Sequence, residues 1–395
     1  MILKNKKDKN NNPFYDATLK KRHKSAKRFK AFTLASLIFS IAFLAFFLTD
    51  IVSKGMPAFK QTYLHVDVHY SNESIKNYRK SVDRQYRNIV SRAWIREVPN
   101  MIKKDPTLLG KTIKTWVLAD DQVDQYLKGH YYKLKRKDRA LVDDMKAFGD
   151  VQLKFNKIFF TNGDSKTPEY AGLKSAMVGS ILTLIITMLV AFPIGVMTAI
   201  YLEEFAEDNK FTQIIEVNIN NLAAIPSILF GLLGLSIFIN LFGLPRSSPL
   251  VGGLTLALMT LPIIIVSSRA ALRSVPDSIR QAGYGLGLTK IQVTKDHVLP
   301  LAFPGIMTGS IIGLAQAMGE TAPLIIVGMI AFIPDAPSMV TQAATVMPAQ
   351  IFTWAGMPER MYVEKTAAGI IVLLSILIFL NALAIYLRKK FEVKW

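Results

Sequence analysis

The sequence predicts an all-α polytopic membrane protein of six transmembrane helices, with an α+β extracytoplasmic insert between helices 1 and 2. Three observations predict it. Apolar residues make up 51% of the 395 and are gathered into blocks rather than spread. Six of those blocks approach or exceed the roughly 20 residues that cross a bilayer. The cationic segments also fall where six crossings put them all on one side.

In chain order the apolar blocks are 31–48, 173–202, 214–242, 251–267, 301–330 and 366–387. A Lys-rich stretch with Lys20, Lys21, Arg22, Lys24, Lys27, Arg28 and Lys30 precedes the first. That block is too long for a signal peptide, and Thr49-Asp50-Ile51-Val52 lacks a small-residue cleavage site, so it reads as a retained anchor. The organisation expected is a cytoplasmic basic tail over 1–30, helix 1 over 31–52, the insert over 53–171, and helices 2–6 over 172–390 with a cytoplasmic segment over 269–300.

Orientation follows from lysine and arginine in short loops. The basic tail, the segment 269–295 and Arg388-Lys389-Lys390 share one side, which is then the cytoplasm, and both termini lie there. The acidic loop Glu203-Glu204-Phe205-Ala206-Glu207-Asp208 also falls inside, but acidic residues carry little topological weight. A net charge of +19 comes from topogenic and solvated basic residues. No basic motif with interleaved aromatics accompanies it, which argues against nucleic-acid binding. With no cysteine, disulfides and thiolate metal sites are excluded.

Within the insert, Leu64, Val66, Val68 and Tyr70 alternate with His65, Asp67 and His69. Val151, Leu153 and Phe155 alternate with Gln152, Lys154 and Asn156. Both stretches read as strands with one buried face. The middle, 74–145, reads as mostly helical, with Asp120-Asp121-Gln122-Val123 a helix start. His65, Asp67 and His69 have ligand chemistry, yet on a strand they form the outward row with the histidines roughly 13 Å apart, so a solvated face is the better reading. Gly110-Lys111-Thr112 imitates a phosphate-binding loop, but Asp105 stands where that motif needs glycine. No metal or nucleotide cofactor is expected.

The segment "SSRAALRSVPDSIRQAGYGLGLTKIQVTKDHVLPLAFPG" over 267–305 carries more information. Pro276 and Asp277 suit the first turn of a helix. Ile279, Ala282, Gly283 and Leu286 then give a shallow apolar face flanked by Arg273 and Arg280, and Gly285 and Gly287 let the chain break away. Such a face suits docking into a cleft on a soluble partner.

This segment resembles the cytoplasmic loop of ABC-importer permeases, whose Glu-Ala-Ala, later Gly and Ile-x-Leu-Pro pattern corresponds here to Gln281-Ala282-Gly283, Gly287 and Val298-Leu299-Pro300. Gln281 and Gly283 depart from that pattern. "AAIPSILFGLLGL" over 223–235, "TLPIIIVSSRAALRSVP" over 260–276 and "PGIMTGSIIGLAQAMGETAPLI" over 304–325 narrow the resemblance to PstA-type permease subunits of bacterial phosphate-specific ABC transporters. The resemblance covers about 172–390 and implies the type I importer fold in the bacterial inner membrane. It implies a PstC-type partner subunit, a cytoplasmic ATPase dimer and a periplasmic phosphate-binding protein, with no ATPase site in this chain. Docking residues would be Asp277, Arg280, Gln281, Ala282, Gly283, Tyr284 and Gly287. Permeases for sulfate, molybdate or phosphonate would lack Gly-Glu-Thr-Ala-Pro-Leu. An ATP-independent transporter or an anchored sensor would lack the docking segment.

Gly305, Gly309, Gly313, Gln316 and Glu320 follow at spacings of three or four and share one face of the fifth helix. That small-residue stripe lets helices approach closely and turns Glu320 into protein rather than lipid. A carboxylate there either fixes packing by hydrogen bonds or gates a pathway, and the second reading is preferred. Relatives resembling this family carry Arg at the position of Gln316, so here the cation opposite Glu320 would come from the PstC-type partner. Pro323 interrupts the helix beyond Glu320 and Thr321, and Pro193 and Pro226 interrupt two others. Packing kinks explain each proline, with Ser227 a further candidate for anion contact. Asn218, Asn220 and Asn221 suit hydrogen bonds between helices.

Overall fold

The computed structural model describes residues 19–130 and 132–391. Residues 1–18 of the expected basic tail lie outside the described residues. The chain divides into two compact units, one ending at Ser53 and the other starting at Lys54.

The first unit is built on helix α1 (Leu19–Gly55), whose residues from Lys21 onward are long and apolar enough to cross a membrane. Phe32, Phe39 and Phe46 stand exposed along it. The hydroxyls of Ser36 and Ser40 donate to the carbonyls of Phe32 and Ser36 one turn back, which satisfies them without water.

The second unit opens with a three-stranded antiparallel sheet. Its middle strand β1 (Lys60–Tyr70) pairs with β2 (Lys111–Leu118) on one side and β3 (Val151–Phe155) on the other. Leu64, Val66, Val68 and Tyr70 are buried as their alternation predicted, in a core shared with Val98 of α2 (Arg92–Lys104), Val123 of α3 (Asp121–Leu127) and Val142 of α4 (Arg136–Ala147). His65 and His69 face the other way and reach Asp150 and Asp83, each at 3.1 Å. Among the described residues no group of His, Asp and Glu is placed to hold a metal.

Two strand expectations are corrected. β2 lies inside the stretch read as mostly helical; its β-branched and aromatic residues pair with β1 from Tyr63 to Tyr70. On β3 only Val151 reaches the core, while Leu153 and Phe155 are half exposed. β3 is an edge strand whose register meets only the first part of β1, so its apolar row overhangs the core.

Beyond the insert the chain forms α5 (Lys174–Ile200), α6 (Lys210–Ala223), α7 (Ser227–Gly234), α8 (Pro249–Arg273), α9 (Asp277–Gly285), α10 (Leu299–Gly319), α11 (Ala322–Ile326), α12 (Met347–Ala355) and α13 (Arg360–Phe391). Five helices of the described chain are long and apolar enough to span a membrane, or six if α6 and α7, bent by 104° at their break, count as one span. The block 214–242 is therefore not a straight helix. Pro193, by contrast, does not break α5, which runs through it, because one lost hydrogen bond inside a packed membrane helix is made good by its surroundings.

Helix α8 is the most enclosed span. Ser248 caps it by accepting the Val251 amide, and Pro249 supplies the preset φ of a first turn. On one side Gly253 lets α8 lie against Ile186 of α5, where a Cβ would come within 2.6 Å of the Ile186 Cβ. On the other, Gly305 and Gly309 of α10 fit against Ala271 and Ser267. The predicted glycine stripe is thus real, and its partner is this chain's own α8.

A side chain at Gly309 would overlap Ser267, so Gly309→Val should cost about 1–3 kcal/mol. Gly319→Ala, where a Cβ meets nothing within 4 Å, should leave stability unchanged. Thermal unfolding in mild detergent compares the two. Asp120 caps α3 by accepting the Gln122 amide, and burial, with the charge of Asp121 behind it, pushes its carboxyl from 3.8 up to about 8. A raised folded value means its contribution to stability is full below the unfolded value and lost as pH rises through about 8. Asp120→Asn keeps the capping acceptor and should flatten the fall in melting temperature from about pH 4 to 8; an unaltered slope would assign that fall elsewhere.

Candidate functional site

The candidate residues gather in two places. The first is the segment from α9 to the start of α10. Pro276 enters α9 in an extended conformation, φ −58 and ψ 139, and Asp277 occupies the first turn, as predicted. Gly287 has φ +79, a left-handed conformation that side chains resist, and it turns the chain out of α9. Thr289 and Gln292 then cap the next turn reciprocally.

Arg280 differs from its expected place beside the exposed patch. Its side chain is turned inward, where it bonds Glu204 at 2.7 Å and the carbonyls of Leu272 at 3.0 Å and Val275 at 2.8 Å, with Asp277 at 3.3 Å. The Glu204 carboxylate holds the guanidinium pKa above its ordinary value. Glu203 meanwhile receives Arg273 at 2.8 Å and Arg269 at 3.3 Å. Glu203 and Glu204, the first two members of the acidic run that weighed against the charge-based orientation, are thereby neutralised by the basic run that supported it. Sequence reading missed this pairing, although Arg269 and Arg273 at i, i+4 signal one cationic helix face.

With its back fixed, the segment presents an open groove of about 390 Å³. Ile279, Ala282, Gly283, Leu286, Pro300 and Leu301 line it together with Asp296 and His297. Leu286 is 82% exposed, and Gln281 and Tyr284 are also exposed. Gly283 lies at the bottom of the groove, buried against Val293, so it lines the groove and also seats α9. Pro300 and Leu301 also line the groove, beyond the residues anticipated.

The second place is where two helix breaks meet. α6 and α7 part at Pro226, and α10 and α11 part at Glu320-Thr321. Gly231 of α7 lies so close to Pro323 that a Cβ would sit 2.8 Å from its Cα. Phe230, Ala317 and Leu324 share one core cluster with Leu222 and Ile225. Helix α10 ends at Gly319 because Pro323 has no N–H to give the Gly319 carbonyl. Glu320 is therefore not on the fifth helix as expected; it is extended, φ −75 and ψ 128.

Glu320 is half-buried, Gln316 exposed, and Ser227 and Thr321 half-buried. Among the described residues, no hydrogen bond or ion pair reaches the Glu320 carboxylate. Asn218 bonds the Ile214 carbonyl of its own helix, and Asn220 and Asn221 stand exposed, so among the described residues the expected bonds between helices are not formed. Ser227 opens α7, one turn before Gly231.

An apolar bundle, a braced segment with an exposed apolar groove and a pair of broken helices fit a membrane transport component. The chain belongs to the binding-protein-dependent transport system inner membrane component family, whose model matches residues 191–393. A domain of unknown function, DUF3333, matches 16–85 and 76–136. Within the family, the chain groups with the PstA-type permeases. It is 30% identical to the phosphate transport system permease protein PstA of Yersinia pestis, over 55% of this chain and 74% of that one. It is 35% identical to PstA of Mycobacterium leprae, over 40% of this chain and 52% of that one. It is 34% identical to the probable ABC transporter permease protein YqgI of Bacillus subtilis, over 45% of this chain and 59% of that one. The chain thus spans about half the length of several curated relatives it matches.

Arg280→Ala would strand Glu204, whose side chain is 4% exposed, and should cost about 3–5 kcal/mol. Arg280→Lys should restore little, because one ammonium cannot serve a carboxylate and two carbonyls in fixed directions. Limited proteolysis within 277–289, faster in both variants than in wild type, is the expected outcome.

Proposed function

We propose that this chain is the transmembrane permease subunit of an ATP-driven inorganic phosphate importer. It forms half of a translocation pathway beside a PstC-type subunit and docks a separate ATPase dimer, while a periplasmic phosphate-binding protein delivers the ion. The observation that carries the reading is the groove along Ile279, Leu286, Pro300 and Leu301. An exposed apolar slot next to a membrane bundle suits a protruding element of a soluble partner. Its floor is held by Arg280, so a pull on the slot is transmitted to the ends of α5 and α8 rather than absorbed by a loose loop.

In this reading six spans place both termini and the docking segment in the cytoplasm of a bacterial inner membrane, and the insert outside. Closure of the ATPase dimer moves α9 and rotates α10 against the partner subunit. Asp277, Gln281, Ala282, Gly283, Tyr284 and Gly287 serve the docking face, with Arg280 behind it. Glu320, Gln316, Thr321, Pro323 and Ser227 serve the pathway where the broken helices meet, and a cation of the partner subunit answers Glu320.

Radiolabelled phosphate uptake and ATP hydrolysis, measured with partner subunits present and membrane abundance matched, test both halves. Leu286→Asp should abolish uptake while leaving the ATPases active. Glu320→Gln should abolish uptake with the complex assembled. Wild-type uptake in both variants would sink the reading.

A further inference from the structure

The insert holds a second concentration of charge that the transport reading does not use. A cup of about 340 Å³ is lined by Arg79, Arg84, Arg87, Arg92 and Arg96, with Tyr78 at its wall. Among the described residues none of the five guanidinium groups pairs with a carboxylate. The acidic neighbours are occupied elsewhere: Glu73 bonds Lys80 at 2.9 Å, and Asp83 lies 3.1 Å from His69. Five like charges around one concavity repel one another, and a surface with no use for them would spread or pair them.

The walls are built rather than loose. The segment carrying Arg84 and Arg87 is pinned at both ends to the sheet, through the bridges Val68 to Val82 and Val90 to Ala119. Val82, Ile89 and Val90 are fully buried beneath it. Arg87 donates through Nε to the Val82 carbonyl at 3.1 Å, which fixes its fork. Arg92 and Arg96 sit one turn apart at the start of α2, where the positive end of the helix adds to their field. The Arg96 guanidinium lies 5.7 Å from the centre of the Tyr78 ring. Hydrogen bonds from Arg96 and then Arg79 hold the Tyr78 hydroxyl below its ordinary pKa, as expected in a strongly positive enclosure.

We infer that this cup binds a tetrahedral oxyanion of the phosphate type. Guanidinium forks match the paired oxygens of such an ion, and a small rigid cup suits it better than the broad acidic face of a protein. The choice of phosphate as the ion rests on the importer reading; the cup itself does not. It lies on the insert, with none of the residues at the two helix breaks among its lining, and would be an accessory site rather than the pathway.

Equilibrium binding of inorganic phosphate to the purified full-length chain in detergent tests it. Wild type should bind saturably, more weakly as ionic strength rises, with sulfate competing and chloride not. Arg84→Gln/Arg92→Gln changes only exposed side chains and should weaken binding at least about tenfold, the effect of one lost charge-assisted hydrogen bond. The milder Arg92→Lys should fall between the two. Unchanged phosphate affinity in the double variant, with an unchanged melting temperature, would overturn the proposal, as would equal competition by chloride. Uptake assayed in parallel separates the two readings. Lost binding without any phosphate uptake by wild type keeps the cup and rejects the importer, and unaltered binding with normal uptake does the reverse.

Discussion

Glu364 and Lys365 stand side by side near the start of α13 with 4% and 1% of their surface exposed. The joining of the insert to the helices depends on how they are neutralised. Glu364 meets Gln125 at 2.6 Å, His130 at 2.7 Å and Lys128 at 3.1 Å, and Lys128 is shared with Asp124 at 2.6 Å. Lys365 donates to the Ala171 carbonyl. Buried alone, Asp124, Lys128 and Glu364 would each cost several kcal/mol, and removing Lys128 leaves both carboxylates without it. The set is tolerable only while the insert is seated.

Around that set the seating is apolar and directional at once. Phe159 and Leu173 pack with Trp354 and Tyr362 in one cluster. The Trp354 indole donates to Asp164 at 3.1 Å and the Tyr362 hydroxyl to the Ser165 carbonyl at 2.6 Å. Aromatic groups with a polar tip suit a boundary where one side is apolar and the other hydrogen-bonded. The arginine-lined cup is therefore carried on a domain braced against helices α12 and α13. The braced segment carrying α9 follows the same logic with the partners reversed, since there Arg280, Arg269 and Arg273 converge on Glu203 and Glu204.

Much of this was legible in the chain. Long apolar runs announced the spans, and period-two alternation announced β1. Asp120 announced a helix start, and Gly287 announced the end of α9. Each of those signals is local, a matter of a few residues and their spacing. What failed to show was decided by distant partners. β2 was hidden because Lys111 and Lys114 mask a β-branched run whose pairing with β1 crosses some forty residues. Leu153 and Phe155 have the right period, yet the core does not extend under them. Arg280 was read as solvent-facing because nothing near it in sequence foretells Glu204, 76 residues away. The helix-breaking power of Pro226 and Pro323 and the harmlessness of Pro193 look alike in sequence, because the outcome depends on whether neighbours re-satisfy the freed backbone groups.

The glycine stripe carries the furthest consequence. Had Gly305, Gly309 and Gly313 faced a second subunit, Glu320 would have faced it too, as the last member of the same row. Instead the glycines are used up against Ile264, Ser267 and Ala271 of the same chain, and α10 stops at Gly319 before the row reaches Glu320. The carboxylate is thereby released from the packed face at the point where two broken helices leave backbone groups without intrahelical partners. An unpaired carboxylate at membrane depth is costly enough that it must meet water, a cation or a proton. Within the described chain no cation reaches it. Under the proposed reading a cation of the partner subunit answers Glu320, and the carboxylate then marks the surface where the second half of the pathway must stand.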